Sequence, residues 1–225
     1  MTGNIDNRLM ALGHQIALDS YADMSLEEEF TTRDVFGHRR NNPTTRPDVI
    51  NIHPYLINPD GTPTEMLVTR LKWGLMLLND YCLDDVIVSG ISGPPGSLDH
   101  DYVQRTGITE AAVCETWLRD YGFKGLVHRL DVGNNTFETL AAIYGEIIPQ
   151  YGFEHVEETS TFEHLARIRL QGIQHNEMAG RNVKRTFSGP KIRNPAQAVE
   201  FMLWELTTVH TTLGYTAADL TKADR

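Results

Sequence analysis

Histidine is the side chain that gains and loses a proton near neutral pH, and two of the nine in this chain stand where a proton can be put to use. His53 closes the apolar run Val49-Ile50-Asn51-Ile52 and precedes Pro54. An imidazole at a strand tip can serve as acid or base. His164 and Arg167 are three residues apart, on one face of a helix. Such a pair can bind a phosphate or a carboxylate, with the arginine supplying a two-pronged fork. His53 and His164 are therefore the candidate catalytic residues, and Arg167 a candidate ligand-binding residue. Each also has a plain structural reading, as a lone histidine packed for its shape or as a charged pair that solvates a helix.

Polar residues beyond the other apolar runs extend the list. Ser89-Gly90-Ile91-Ser92-Gly93-Pro94-Pro95-Gly96 places glycine at every third position. That spacing lets backbone amides approach an anion closely, although Pro94 and Pro95 remove two donors. Asn135 and Thr136 follow the run that ends near Arg129, and Thr159, Ser160 and Thr161 follow the next one. In a parallel α/β sheet ligands collect beyond the carboxyl ends of the strands. On that ground Ser89, Gly90, Asn135 and Thr136 join the ligand-binding candidates.

Other chemistries are excluded by what is missing. The glycine loop is not followed by Gly-Lys-Ser/Thr and is not G-x-G-x-x-G, so neither standard nucleotide loop is present. There is no H-E-x-x-H, H-x-x-E-H or cysteine-histidine group, and no metal is assigned. There is no G-x-S-x-G elbow, and Ser89 has no identifiable base. Cys82 and Cys114 are read as buried free thiols. The net charge of -10 speaks against nucleic acid as a partner, and the basic residues Arg181, Lys184, Arg185, Lys191 and Arg193 read as a solvated loop. Met1 to Asp19 carries Asp6, Arg8, His14 and Asp19, unlike a signal peptide or a membrane span. The expectation is a cytoplasmic protein with a small-molecule ligand and no membrane partner.

These side chains need a frame. Short apolar runs alternate with longer amphipathic segments, the pattern of β-α-β units. Strands are expected at Asp48–His53, Asp85–Ser89, Gly125–Arg129 and His155–Ser160, with helices at Thr64–Tyr81, Thr109–Tyr121, Thr136–Gln150 and Phe162–Met178. Asn135 with Glu138 forms a capping pair for the third helix. The expected fold class is α/β, a Rossmann-like three-layer fold with a mainly parallel sheet and appended N- and C-terminal helices. Residues 1–47 form a helical arm, with a helix from Asp6 to Tyr21, and a loop; 48–180 form the core. Residues 181–225 form an extension packed on the core, with a strand at Asn182–Phe187 and a helix at Pro195–Thr211.

The ordered pieces resemble the ElyC/SanA/YdcF-like family of bacterial proteins. They are Asp60-Gly61 before a helix with Arg70-Leu71, the strand Asp85-Val86-Ile87-Val88-Ser89-Gly90, Thr109-Glu110-Ala111, Gly122, Asn135-Thr136-Phe137-Glu138, and Thr159-Ser160 with His164 and Arg167. The resemblance runs from about Asp48 to Arg169. It implies a Rossmann-like domain in which Arg70, Ser89, Gly90, Glu110, Asn135, Thr136, Glu138, His164 and Arg167 gather at one cleft. For a cytoplasmic branch it further implies S-adenosylmethionine binding. The chain departs from the family at Asn51-Ile52-His53-Pro54-Tyr55, where a glycine-rich turn is usual, at Ile91 in place of a second glycine, and at Thr139 where asparagine is common.

Three functions fit this reading. The first is a small-molecule enzyme or binder with a nucleotide-like ligand. The second is a cofactor-independent hydrolase or transferase acting on a phosphorylated or carboxylated metabolite. The third is a non-catalytic regulatory or assembly module, a homo-oligomer joined through the N-terminal arm and the Ala196–Thr211 helix.

Overall fold

Runs of β-branched residues can be buried on both faces only inside a parallel sheet covered by helices, and this chain supplies several. The computed structural model describes residues 46–93, 95–97, 99–178, 180 and 182–190, together with 30, 31, 197, 200, 201, 204, 205, 207 and 208. The helix expected at residues 6–21 lies outside them. Six strands form one sheet: β1 Phe30–Thr31, β2 Val49–Ile52, β3 Asp85–Ser89, β4 Leu126–Leu130, β5 His155–Thr159 and β6 Lys184–Pro190. Their order is β1-β6-β5-β2-β3-β4. β2 to β6 are mutually parallel, and the two-residue β1 lies antiparallel to β6. The fold is Rossmann-like α/β, and its sheet extends past residues 48–180 because β6 pairs with β5 along five residues, His155 to Thr159.

The strands alternate their allegiance. Ile50, Ile52, Val86, Val88 and Val127 pack with α1 (Glu65–Tyr81) and α3 (Glu110–Asp120). Val49, Ile87, Leu130 and Val156 pack with Leu140, Ile143, Tyr144 and Ile148 on the opposite face. This is the period-two pleat at work, and each fully buried Leu or Ile contributes about 1.5–3 kcal/mol. Thr64 caps α1 by accepting the Leu67 amide at 3.3 Å. At its far end Cys82 takes φ 51°. That left-handed position turns the chain outward, so Cys82 is exposed rather than buried, while Cys114 is buried as expected. The short α2 (His100–Thr106) follows the glycine loop, and it was not anticipated because it buries little beyond Val103.

The helix expected as Thr136–Gln150 is not uniform. It is α4 (Thr136–Ala142), a π turn (Ile143–Ile147) and α5 (Ile148–Tyr151). Pro149 has no amide to give the carbonyl four residues back, and its ring would press on that turn. The ladder widens just before it, so that the Ile148 amide bonds the Ile143 carbonyl. α6 (Phe162–Met178) then covers the same face. Gln197, Glu200, Phe201, Trp204, Glu205, Thr207 and Thr208 are helical, within the helix expected at Pro195–Thr211.

β2 and β5 are neighbours whose connections leave to opposite sides, β2 towards β3 and β5 towards β6. This makes a topological switch point, the place where open α/β sheets form a crevice. One close approach holds its edge: a Cβ on Gly189 would lie inside the Ser160 carbonyl. Gly189→Ala is therefore expected to lower stability by about 1–3 kcal/mol; chemical denaturation with an unchanged midpoint would show that the β5 and β6 ends do not pack this closely.

Candidate functional site

β5 carries two consecutive glutamates into the middle of the sheet, and the pleat sends them to opposite faces. Glu157 meets the hydroxyls of Thr186 and Ser188. Glu158 lies at the switch point and collects four partners. Arg185 donates through Nε and Nη2 at 3.2 and 3.1 Å, Tyr144 through its hydroxyl at 2.7 Å, and Asn51 through Nδ2 at 2.7 Å; His53 Nε2 is at 2.7 Å. Burial alone would raise the carboxyl. Arg185 and the hydrogen bonds of His53 and Tyr144 overcome that and bring its pKa down to about 2. The π turn supplies Tyr144, a common use of such widened turns at sites. Burial raises the Tyr144 phenol well above its ordinary 10, so it stays a donor. Gly172 of α6 leaves the room that the Arg185 guanidinium fills.

With Glu158 ionised, the short contact places a proton on His53 Nε2, leaving Nδ1 with its lone pair. Burial lowers the His53 pKa below 6.5 despite the pull of Glu158. The imidazole is thus neutral at neutral pH.

A second histidine faces it. The His53 and His164 ring centroids are 6.3 Å apart in an edge-on arrangement. His164 Nδ1 lies 2.7 Å from Glu205 Oε1, and Arg167 Nε lies 2.7 Å from Glu205 Oε2. On the far side of the ring, Nε2 is 3.4 Å from the Thr136 hydroxyl. His53, Glu158, His164 and Glu205 are 2, 0, 4 and 1% exposed. Burial, with Arg167, Arg70 and His53 close by, drives the His164 pKa well below 6.5. Burial also lifts Glu205 to about 7 against Arg167 and Arg70. The two carboxylates therefore differ: one is permanently ionised, the other shifts its charge near neutrality.

Arg70 bridges the loops that follow β2 and β5. Its Nη1 donates to the His53 and Pro54 carbonyls at 3.1 and 2.8 Å, and its Nη2 to Thr161 Oγ1 at 2.8 Å. Burial lowers its pKa to about 10. Its fork is thus spent on holding His53 and the start of α6 together.

The structure brings His53, Arg70, Thr136, His164 and Arg167 to one place and puts three other candidates beside it. Ser89 is fully buried, and its hydroxyl has no hydrogen-bond partner among the described residues; the same holds for Asn51 Oδ1 and Ser160 Oγ. Gly90 has φ 122°. The Gly90, Ile91 and Gly93 amides are already donated to Leu130 O, Gly133 O and Asp99 Oδ2. Glu110 lies under Gly90, accepting the Leu56 amide and sharing a hydrogen bond with Asp99. Asn135 is exposed and spends its side chain capping α4, accepting the Glu138 amide at 3.0 Å, while Glu138 accepts from Asn134.

The spacing reading missed Glu158, Tyr144 and Glu205, and it placed Arg185 in a solvated loop, whereas Arg185 is buried on β6 against Glu158 because its strand pairs with β5. The legible signal was Glu157-Glu158 inside a run placed as a buried strand, since unpaired charge is not tolerated there. Among the described residues no group of His, Cys, Asp or Glu is arranged to hold a metal ion, and no helix is long and apolar enough to cross a membrane. Two clefts of about 480 and 610 Å³ lie at the opposite, amino ends of the strands, around Arg46 and Glu154. The paired imidazoles lie at the other ends of the strands from these clefts.

Burial, with Asp99 nearby, raises Glu110 to about 8. Between 4.5 and 8 the folded chain keeps a proton that the unfolded chain has released, so this group's contribution to stability is full below 4.5 and is lost as pH rises through 8. Glu110→Gln reproduces the protonated carboxyl, accepting from Leu56 and donating to Asp99. It is expected to gain at least about 1 kcal/mol over the parent protein at pH 8.5 and little at pH 5. Equal denaturation midpoints at both pH values would show that Glu110 is not protonated in the fold.

Compared with protein-family models, with curated proteins and with solved structures, the chain matches none.

Proposed function

We propose that the crevice between the β2 and β5 ends carries acid–base catalysis on an anionic small molecule, a phosphorylated or carboxylated metabolite that it hydrolyses or whose group it transfers without a dissociable cofactor. The observation that carries this reading is the pair of buried imidazoles, each with one nitrogen on a carboxylate, with ring centroids 6.3 Å apart.

The two halves have different work. His53 is neutral and presents its Nδ1 lone pair, so it takes the proton of a water or hydroxyl nucleophile; Glu158, ionised throughout, steadies the imidazolium that results. Its companions Arg185, Tyr144 and Asn51 hold that carboxylate in place, so no reorganisation is needed as charge develops. The His53 imidazolium then returns that proton to the leaving oxygen, while His164, with its Nε2 lone pair beside Thr136, accepts a hydrogen bond from the bound nucleophile or ligand and Arg167 next to it neutralises the ligand's negative charge.

The nucleotide-like ligand implied by the family resemblance, S-adenosylmethionine included, has one observation in its favour: the buried Ser89 hydroxyl at the β3 end beside Gly90, which has no hydrogen-bond partner among the described residues. Titration calorimetry with S-adenosylmethionine and common nucleotides tests it, and absence of heat at millimolar concentration removes it.

For the catalytic reading, the full chain is assayed on p-nitrophenyl phosphate, bis(p-nitrophenyl) phosphate and p-nitrophenyl acetate. His53→Asn and His164→Asn are each expected to lower kcat by about 10²–10⁴, and Arg167→Met to raise KM more than it lowers kcat. Turnover retained within a few-fold in both histidine variants would remove the proposal.

A further inference from the structure

Of the histidine–carboxylate pairs His53–Glu158 and His164–Glu205, only the first has its carboxylate and counter-cation on strands of the sheet. Glu158 comes from β5 and its cation Arg185 from β6. Glu205 is one of the described helical residues after β6, with Phe201 and Trp204, outside the sheet and the helices that cross over it. Its two oxygens face two different cationic or donor groups, Oε1 on His164 and Oε2 on Arg167, both at 2.7 Å. The Oε1 contact is a hydrogen bond and the Oε2 contact an ion pair without hydrogen-bond geometry, and a ligand carboxylate can be held by the same two groups, one oxygen to the imidazole nitrogen and the other to the guanidinium.

The rest of this contact is aromatic. Phe201 packs edge-on against Tyr55 with centroids 5.5 Å apart and lies 6.5 Å from His164. Trp204 covers the Arg167 guanidinium at 4.9 Å and is 51% exposed. Near-neutral titration of Glu205, raised by burial to about 7, weakens its ionic hold further. By contrast Arg185 also donates to the Ile168 and Arg169 carbonyls, which locks the Glu158 half in place.

We propose that the position filled by the Glu205 carboxylate between His164 and Arg167 is the carboxylate subsite of the crevice, and that a carboxylate-bearing ligand takes this seat by displacing Glu205, which acts as a built-in competitor. The inference rests on the reading of this crevice as a small-molecule site and narrows it to carboxylate ligands. In the liganded state the incoming carboxylate replaces Glu205 as the partner of His164 Nδ1. His164 Nε2 then remains beside Thr136, free for proton transfer.

The test is calorimetry on the full chain at pH 7.5 with sodium acetate, with acetamide as the neutral counterpart and inorganic phosphate as the alternative anion. The parent protein is expected to bind acetate weakly, and Glu205→Ala to bind it about tenfold more tightly, since the competitor is gone. Acetamide is expected to give no heat with either protein and phosphate to bind less tightly than acetate. Arg167→Met should abolish acetate binding. Circular dichroism checks that Glu205→Ala is folded; if it is not, Glu205→Gln serves, with tightening in the same direction. The proposal is overturned if the parent protein shows no saturable binding up to 100 mM, on the order of the weakest useful affinity, if removing Glu205 does not tighten binding, if acetamide binds as well as acetate, or if phosphate binds more tightly. Because none of these readings needs turnover, a protein that binds acetate as described yet hydrolyses nothing would sink the catalytic reading alone.

Discussion

A carboxylate in the central strand of a parallel sheet is the constraint on which the rest of this molecule turns. Glu158 is wholly buried and ionised, and an uncompensated charge in such a place would cost several kcal/mol. The chain answers with residues from four separate elements: Arg185 from β6, Tyr144 from the π turn, Asn51 from β2, and His53 from the loop beyond it. Each answer imposes a further condition. Arg185 requires the space that Gly172 leaves in α6, and Tyr144 requires the register set by the widened turn ahead of Pro149. The sheet order, which brings β2 and β6 to either side of β5, is what allows these groups to converge.

The same arrangement explains why the two histidines are not equivalent. His53 leans on a charge that is fixed by the fold, so its protonation state follows from burial and from Glu158. His164 leans on Glu205, whose own charge varies near neutrality and whose position depends on residues outside the sheet. A rigid half and an adjustable half thus face one another where β2 and β5 end. Arg70, tied to the His53 and Pro54 carbonyls and to Thr161, keeps both loops at the correct spacing without taking part in that exchange.

Much of the frame was legible because its elements follow from periodicity. The runs at Val49–Ile52 and Asp85–Ser89 have no other home than a buried strand, and Asn135 before Thr136 does cap its helix. Cys82 was misplaced because its exposure depends on a left-handed helix end, which the spacing of apolar residues does not encode. His53 and His164 were legible as strand-end and helix-start residues. Their partners were not, since Glu158 and Arg185 lie 27 residues apart and His164 and Glu205 lie 41 apart. Pairings of this kind depend on the sheet order, which local spacing does not determine. Arg70 and Glu110 were drawn in by family resemblance as ligand-binding residues, and the structure gives both of them protein partners that organise the loops.

The central claim is that His53 and His164 are neutral imidazoles, each with one nitrogen committed to a carboxylate. Long-range ¹H–¹⁵N correlation spectra of the histidine side chains, recorded on the full chain while pH is lowered from 8 to 5, test it most directly. Two rings are expected to keep the nitrogen shifts of a single neutral tautomer below pH 6.5, where exposed imidazoles become protonated, and to be assigned by His53→Asn and His164→Asn. If both rings instead titrate with pKa values at or above 6.5, the buried pairs described here do not exist in that form and the division of labour built on them fails.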